Sequence, residues 1–298
     1  MSAHLGKIAL MMAMSHGFRT LGRISGPRWA ALALGLPCST AVALVGGGSD
    51  RGVDYAVMMS GTSLLGLVGA VVLPMAYALS VLQGWGMHRA LLLGVASYLL
   101  VALTVSRLLP DRGEASLVVA LLAVVGTNIM AGRLRGLDEV ETVRRRTLSI
   151  TWTRILRTAV PIACLSTSMA LGEIFGPEMA GLMSTFPGLT LTVLALTHLE
   201  SGPISAIKMA RALPSGNLAM VGFLAAFRFG CPSLGLAWGT GLGYLASLAV
   251  LMIVIGSESL RAWINERPER IRETREPSRP AWPRAGRRFS PGLETFAW

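Results

Sequence analysis

Gly35-Leu36-Pro37-Cys38-Ser39-Thr40 and Thr185-Phe186-Pro187-Gly188-Leu189-Thr190 stand 150 positions apart in one chain, and the register between them continues on both sides. Without a gap, Leu21 to Tyr77 aligns on Leu171 to Phe227, and 16 of the 57 columns are identical. Composition alone would give roughly five, so the chain carries an internal duplication. The shared residues include backbone-setting ones: Gly26 and Pro27 on Gly176 and Pro177, Gly52 on Gly202, Gly66 on Gly216. Asp50 falls on Glu200.

The surroundings of the repeat place it in a membrane. Apolar residues make up 52% of the chain and charged ones 14%, and mean hydropathy is +0.57. Apolar runs of spanning length recur near 5–24, 28–46, 53–82, 89–109, 115–131, 151–172, 178–197, 203–229 and 233–256. The second and seventh are short and each carries a central Pro. The expected fold class is an all-α polytopic membrane protein of about nine transmembrane helices in two inverted-topology repeats, four plus one linker plus four. The expected organisation is a first transmembrane repeat over 1–110, a linker helix and Arg-rich loop over 111–150, a second repeat over 151–256, and an Arg- and Pro-rich tail, largely disordered, over 257–298.

Charge sets the orientation. The formal net charge of +11 is concentrated in two places, which argues against nucleic acid and for connections facing anionic lipid. From Gly132 to Arg157 seven Arg face three acids, and after Gly256 nine Arg face six Glu. Both segments are expected to be cytoplasmic, with the N-terminus outside. An odd number of spans then separates equivalent points of the repeats, which inverts them, as in many secondary transporters. Only Lys7 and Lys208 are lysines, a bias typical of GC-rich bacterial genomes. The first apolar run, interrupted by His16 and Arg19, reads as a membrane helix and not as a cleaved leader. Ser257 to Arg267 reads as a short amphipathic helix before the prolines of the tail.

The paired prolines are the leading site. A Pro near the membrane midplane removes a donor and leaves a carbonyl one turn earlier without its partner. If each helix breaks there, the segment after it begins with free N–H groups and a positive dipole end, suited to an anionic or strongly polar group. The expected substrate-binding residues are Pro37, Ser39, Thr40, Thr185, Pro187 and Thr190. A pair of plain proline kinks, with the hydroxyls capping carbonyls, is the alternative. Gating or proton coupling falls to Asp50, His198, Glu200, Lys208 and Arg211, with Arg51 and Asp54 beside the outer set. The structural alternative is that Asp50 and Ser201 cap the helices that follow them. Arg107, Asn128 and Asn217, in or near apolar runs, are read as helix-to-helix contacts. Gly235, Gly239 and Gly243 form a ridge for close packing, within the chain or in a homodimer.

No catalytic motif is present: there is no Gly-x-Ser-x-Gly elbow, no His-Glu-x-x-His and no phosphate-binding loop. Neither a cofactor nor a metal is expected. Cys38, Cys164 and Cys231 lie apart in apolar segments and read as small apolar side chains.

Met179 to Pro187, followed by an apolar run and Gly202, resembles small bacterial inner-membrane proteins of the GlpM type. The whole chain resembles bacterial membrane proteins carrying two such units, with Leu34-Gly35-Leu36-Pro37-Cys38-Ser39-Thr40 in the first. The resemblance implies the bacterial inner membrane and envelope or polysaccharide physiology, and it transfers no catalytic residue. Two functions remain open. One is a secondary transporter or flippase for a small polar or anionic solute or a lipid-linked headgroup; the other is a non-transporting scaffold for envelope biosynthesis, its surfaces the glycine ridge and the Arg-rich tail.

Overall fold

A computed structural model describes residues 36–109, 113–133 and 173–273, with scattered positions between 159 and 171. The expected spans at 5–24 and 151–172, Lys7, His16, Arg19, Cys164, the Arg-rich loop beyond Arg133 and the tail beyond Glu273 lie outside the described residues. Among the described residues every regular element is an α-helix: α1 (Cys38–Arg51), α2 (Val53–Leu82), α3 (Met87–Leu108), α4 (Glu114–Arg133), α5 (Pro177–Ser184), α6 (Gly188–Ser201) and α7 (Pro203–Glu273). Among the described residues five helical stretches are long and apolar enough to cross a bilayer. α7 consists of two arms meeting at Gly235, whose φ of 76° and ψ of 174° interrupt the helix.

α2 is the centre of this arrangement and touches α1, α3, α4 and α5. Its sequence explains the position. Ser60, Gly61, Thr62, Ser63, Gly66, Gly69 and Ala70 give it a smooth surface, so neighbouring backbones approach closely. A Cβ on Gly69 would stand 2.7 Å from the Tyr98 carbonyl oxygen of α3, and one on Gly94 of α3 would stand 3.3 Å from Leu73. α3 and α4 present one narrow stripe each to α2. Ala90, Gly94, Tyr98 and Ala102 are buried on α3 at four-residue spacing, and Ser116, Ala120 and Val124 repeat that spacing on α4. Their other faces expose Leu92, Leu100 and Leu122 to 65% or more. So much large apolar side chain on the outside suits hydrocarbon, not water.

Four contacts orient α1 and α6 relative to α2. Thr40 at the start of α1 donates to the Ser184 carbonyl at the end of α5, and Ser184 meets Ser63 of α2 at 3.0 Å. From there α1 heads back toward the start of α2, where Gly48 packs on Ala56. α6 heads the other way, and near its end the His198 ring meets Tyr77. The two short helices leave the middle of α2 in opposite directions. The first arm of α7 is antiparallel to α2, since Arg228 near its end reaches the Val57 carbonyl near the start of α2 at 3.2 Å.

Sequence-based boundaries change at three places. α1 begins at Cys38 after the turn at Pro37 and runs on to Arg51, past the expected end at 46, while residues 28–35 of that run lie outside the described residues. The seventh run is two helices, not one. The helix following Gly235 continues to Glu273 through Pro268, because a single Pro forfeits one hydrogen bond and bends a helix without always ending it. Asp50 and Ser201 are not the caps: Gly52 (φ 96°, ψ 167°) and Gly202 (φ 87°, ψ 171°) occupy the turns, a conformation essentially confined to glycine.

The glycine ridge divides into two roles. Gly235 is the bend between the arms of α7. Gly239 and Gly243 are buried against the first arm, where an added Cβ would stand 2.8 Å from Cys231 Cα and 2.8 Å from the Phe223 ring. Their close packing is within the chain.

Candidate functional site

Pro187 breaks the seventh run: α5 stops at Ser184, Thr185 to Pro187 are non-helical, and α6 starts at Gly188. Pro187 has φ −82° and ψ 55°, and Pro37 before α1 has φ −78° and ψ 49°. Each is the centre of a tight turn in which the N–H of the next residue donates to the carbonyl of the previous one, Gly188 to Phe186 and Cys38 to Leu36, both at 2.8 Å. The same backbone device therefore opens both short helices 150 positions apart.

A helix that stops inside a membrane leaves its last carbonyls without amide partners, which is costly in hydrocarbon. Hydroxyl groups from three helices meet this need at α5. Ser63 of α2 donates to Gly181 O at 3.2 Å, Tyr98 of α3 to Leu182 O at 2.6 Å, and Thr40 of α1 to Ser184 O at 3.0 Å. Thr185 adds its own hydroxyl to Leu182 O at 2.9 Å. These donors hold the broken end in place and explain why α2 is rich in Ser and Thr on the side facing α5.

Past the break lies a cavity of about 50 Å³, room for a few water molecules. Its walls come from the starts of α1 and α6, the middle of α2 and the first arm of α7. Five pairs among the lining residues are related by the 150-residue offset: Leu36 and Phe186, Cys38 and Gly188, Ser39 and Leu189, Leu67 and Asn217, Ala70 and Met220. Thr185, Pro187 and Thr190 also line it, together with Pro74 and Leu213. Pro74 has no N–H to offer the Ala70 carbonyl one turn earlier, which adds backbone polarity to the α2 wall.

Ser39, Thr185, Pro187 and Thr190 are thus brought together at the cavity. Thr40, expected among its hydroxyls, is turned away and fully buried, bonded to Ser184 O instead. Helical rotation is the reason: successive residues on a helix differ by about 100°, so the neighbour of a lining residue faces another element. Pro37 sets the turn ahead of α1 without lining the cavity. Asn217, read from sequence as a packing residue, is a lining residue; an Asn opposite Leu67 in the duplicated pattern was the available signal. Among the described residues, neither Asn217 nor Thr190 makes a side-chain hydrogen bond. Asn128 does serve packing: its Oδ1 accepts from Ser215 of α7 at 2.6 Å, tying α4 to that arm.

The residues expected to gate or couple are dispersed. Tyr77 Oη and His198 Nδ1 lie 2.6 Å apart, with the Tyr77 side chain fully buried between α2 and α6. Arg211 Nε donates to Ala131 O at 3.2 Å. Glu200 and Lys208 are half-buried on α6 and α7. Asp50, Arg51 and Asp54 are exposed at the other end of α2, where Arg51 lies over the Tyr55 ring at 5.0 Å. Cys38 and Cys231 are buried free thiols. Among the described residues no group of His, Cys, Asp and Glu is placed to hold a metal ion.

The apolar helices and their lipid-facing surfaces make this a membrane-embedded helical protein. Comparison with protein families, with curated proteins and with solved structures yields no match to the chain.

Proposed function

We propose that the protein is a secondary transporter of a small polar or anionic solute, with its site at the cavity between the starts of α1 and α6. The observation that carries this reading is the makeup of the cavity wall: five pairs of lining residues related by the 150-residue offset. A site shared by two copies of one motif lies on the axis relating them, where alternating exposure to the two sides can occur. The opposed directions of α1 and α6 support it, because the first turns of both helices then meet at one place with their unpaired N–H groups and positive dipole ends.

In this reading the chain has nine spans in two inverted repeats, 1–110 and 151–256, joined by the linker helix. Contacts across the halves support the inversion. Tyr77 with His198 and Ala131 with Arg211 join residues assigned to one side, and Val57 with Arg228 and Gly48 with Leu236 join residues assigned to the other. A bacterial inner membrane, with the C-terminus cytoplasmic, is part of the same proposal, as is the likeness to proteins with two GlpM-type units. The cavity size favours a small solute over a lipid-linked headgroup, and a polar cavity at the paired helix starts favours transport over a scaffold.

The test is thermal stability of the purified protein against a library of small polar and anionic solutes. A ligand held at a hundred times its dissociation constant stabilises the folded state by about 2.7 kcal/mol. A stabilising solute whose effect disappears in Ser39→Ala and Thr190→Ala is the expected result. A broad library without a stabilising solute, from protein that melts cooperatively, would reject the site.

A further inference from the structure

Resting on the transport reading, we infer that the solute is a small monocarboxylate, of the size of formate or acetate, and that Asn217 selects it. The cavity is two-natured. Leu36, Leu67 and Met220 supply apolar surface, while Asn217 and Thr190 supply polar groups with no side-chain hydrogen bond among the described residues. Both side chains are half-buried, so their polar groups stand open to a ligand or to water in a wall that mixes polar and apolar surface. Nothing ionised at neutral pH is contributed by any lining side chain: there is no Asp, Glu, Lys, Arg or His among them.

Each feature narrows the class. With no carboxylate in the wall, a cation has no counter-charge there. Lacking Arg and Lys, the wall has only neutral donors to set against a negative charge, which suits one charge and disfavours sulfate or hydrogen phosphate. Apolar surface beside the donors matches a solute with a carboxylate at one end and hydrogen or methyl at the other. A cavity of about 50 Å³ suits a solute of this small size.

At Asn217 the second half of the site carries an amide where the first half has Leu67. Its side-chain amide donates to an acceptor, and Thr190 supplies a second donor on the same half of the chain. Asn217→Leu makes this position as apolar as its partner Leu67 and removes one donor without adding charge. Loss of one hydrogen bond to an ionised group predicts a fall of about tenfold or more in uptake at limiting solute.

The experiment is solute uptake into proteoliposomes holding the full chain, with formate, acetate, sulfate and urea as probes, in wild type, Asn217→Leu and Asn217→Ser. Expected are formate and acetate uptake well above protein-free liposomes, little sulfate or urea uptake, and about a tenfold loss in Asn217→Leu. Asn217→Ser, which keeps a donor and serves if the Leu variant folds poorly, retains most of the uptake. Urea or sulfate carried in preference to the carboxylates overturns the inference and leaves transport standing. So does unchanged formate uptake in both variants. Absence of uptake for all four probes, with a solute from the stability library carried instead, overturns the inference alone; absence of uptake for that solute too overturns the transport reading with it.

Discussion

Replacing Gly181 by Ala tests the contact on which the broken helix depends. Gly181 sits in the middle of α5, where the α2 backbone is so close that an added methyl would overlap Thr62 Oγ1 and the Met59 carbonyl. Thr62 can rotate, but the Met59 carbonyl belongs to the ladder of α2 and cannot, so the two helices must separate. Overpacking of this kind costs about 1–3 kcal/mol. Separation also lengthens the bonds from Ser63 to Gly181 O, now 3.2 Å, and from Thr62 to Pro177 O, now 3.4 Å. Interhelical hydrogen bonds in membranes contribute about 0.6 kcal/mol each, so two of them add roughly 1 kcal/mol. Against this, Ala is the better helix former by about 1 kcal/mol. The net expectation is a loss of about 1–3 kcal/mol, and a melting temperature lower by roughly 2–12 °C for a chain of this size. A thiol-reactive fluorophore reads the melt through the buried Cys231, with Cys38 and Cys164 replaced by Ala in wild type and variant alike. Gly126→Ala is the control: nothing lies within 4 Å of a Cβ there, so it leaves stability unchanged or raises it by up to about 1 kcal/mol. A Gly181→Ala protein that melts with wild type, beside an unchanged control, would refute the close approach of α2 and α5.

Tyr98→Phe removes the donor to Leu182 O while keeping the edge-to-face contact with Phe186 at 5.1 Å; it lowers stability by about 1 kcal/mol in the same melt. In a background without native cysteines, Thr190→Cys and Asn217→Cys react with a small water-soluble thiol reagent, and Thr40→Cys, turned to Ser184, stays unreactive. Gly235→Ala introduces no clash, since nothing lies within 4 Å, yet it costs about 1–3 kcal/mol because φ 76° with ψ 174° suits glycine alone; Gly241→Ala, equally open, does not. Cysteines placed at Asp50 and Glu200 label from opposite sides of the membrane, and labelling from one side would remove the inverted arrangement.

Amino-acid order alone carried the membrane class, because runs of apolar residues of bilayer length need no tertiary information to be recognised. It also placed α2, α3 and α4 within a few residues, and it marked the Pro37 and Pro187 motifs through their 150-residue offset. Glycine punctuation was legible too, although the residues doing the turning are Gly52 and Gly202, not the polar neighbours chosen as caps. Side-chain direction was not legible. Thr40 and Thr190 hold the same place in the two copies, yet one bonds to α5 and the other lines the cavity, since the elements packed around them differ. The glycine ridge carried the same ambiguity: spacing shows that Gly239 and Gly243 share a face, and only the bend at Gly235 shows that the face is turned onto Cys231 and Phe223.

Local chemistry thus determined which segments are helical and where a membrane helix had to be interrupted, because apolar length and a missing proline N–H act within one turn of the chain. Tertiary structure decided how the interruption is tolerated and what it is available for. The carbonyls at the end of α5 receive hydroxyls from positions 40, 63 and 98, far away in sequence, and Asn217 reaches the cavity because α7 runs antiparallel to α2. Those relations depend on three-dimensional proximity between distant segments, and no local pattern encodes it.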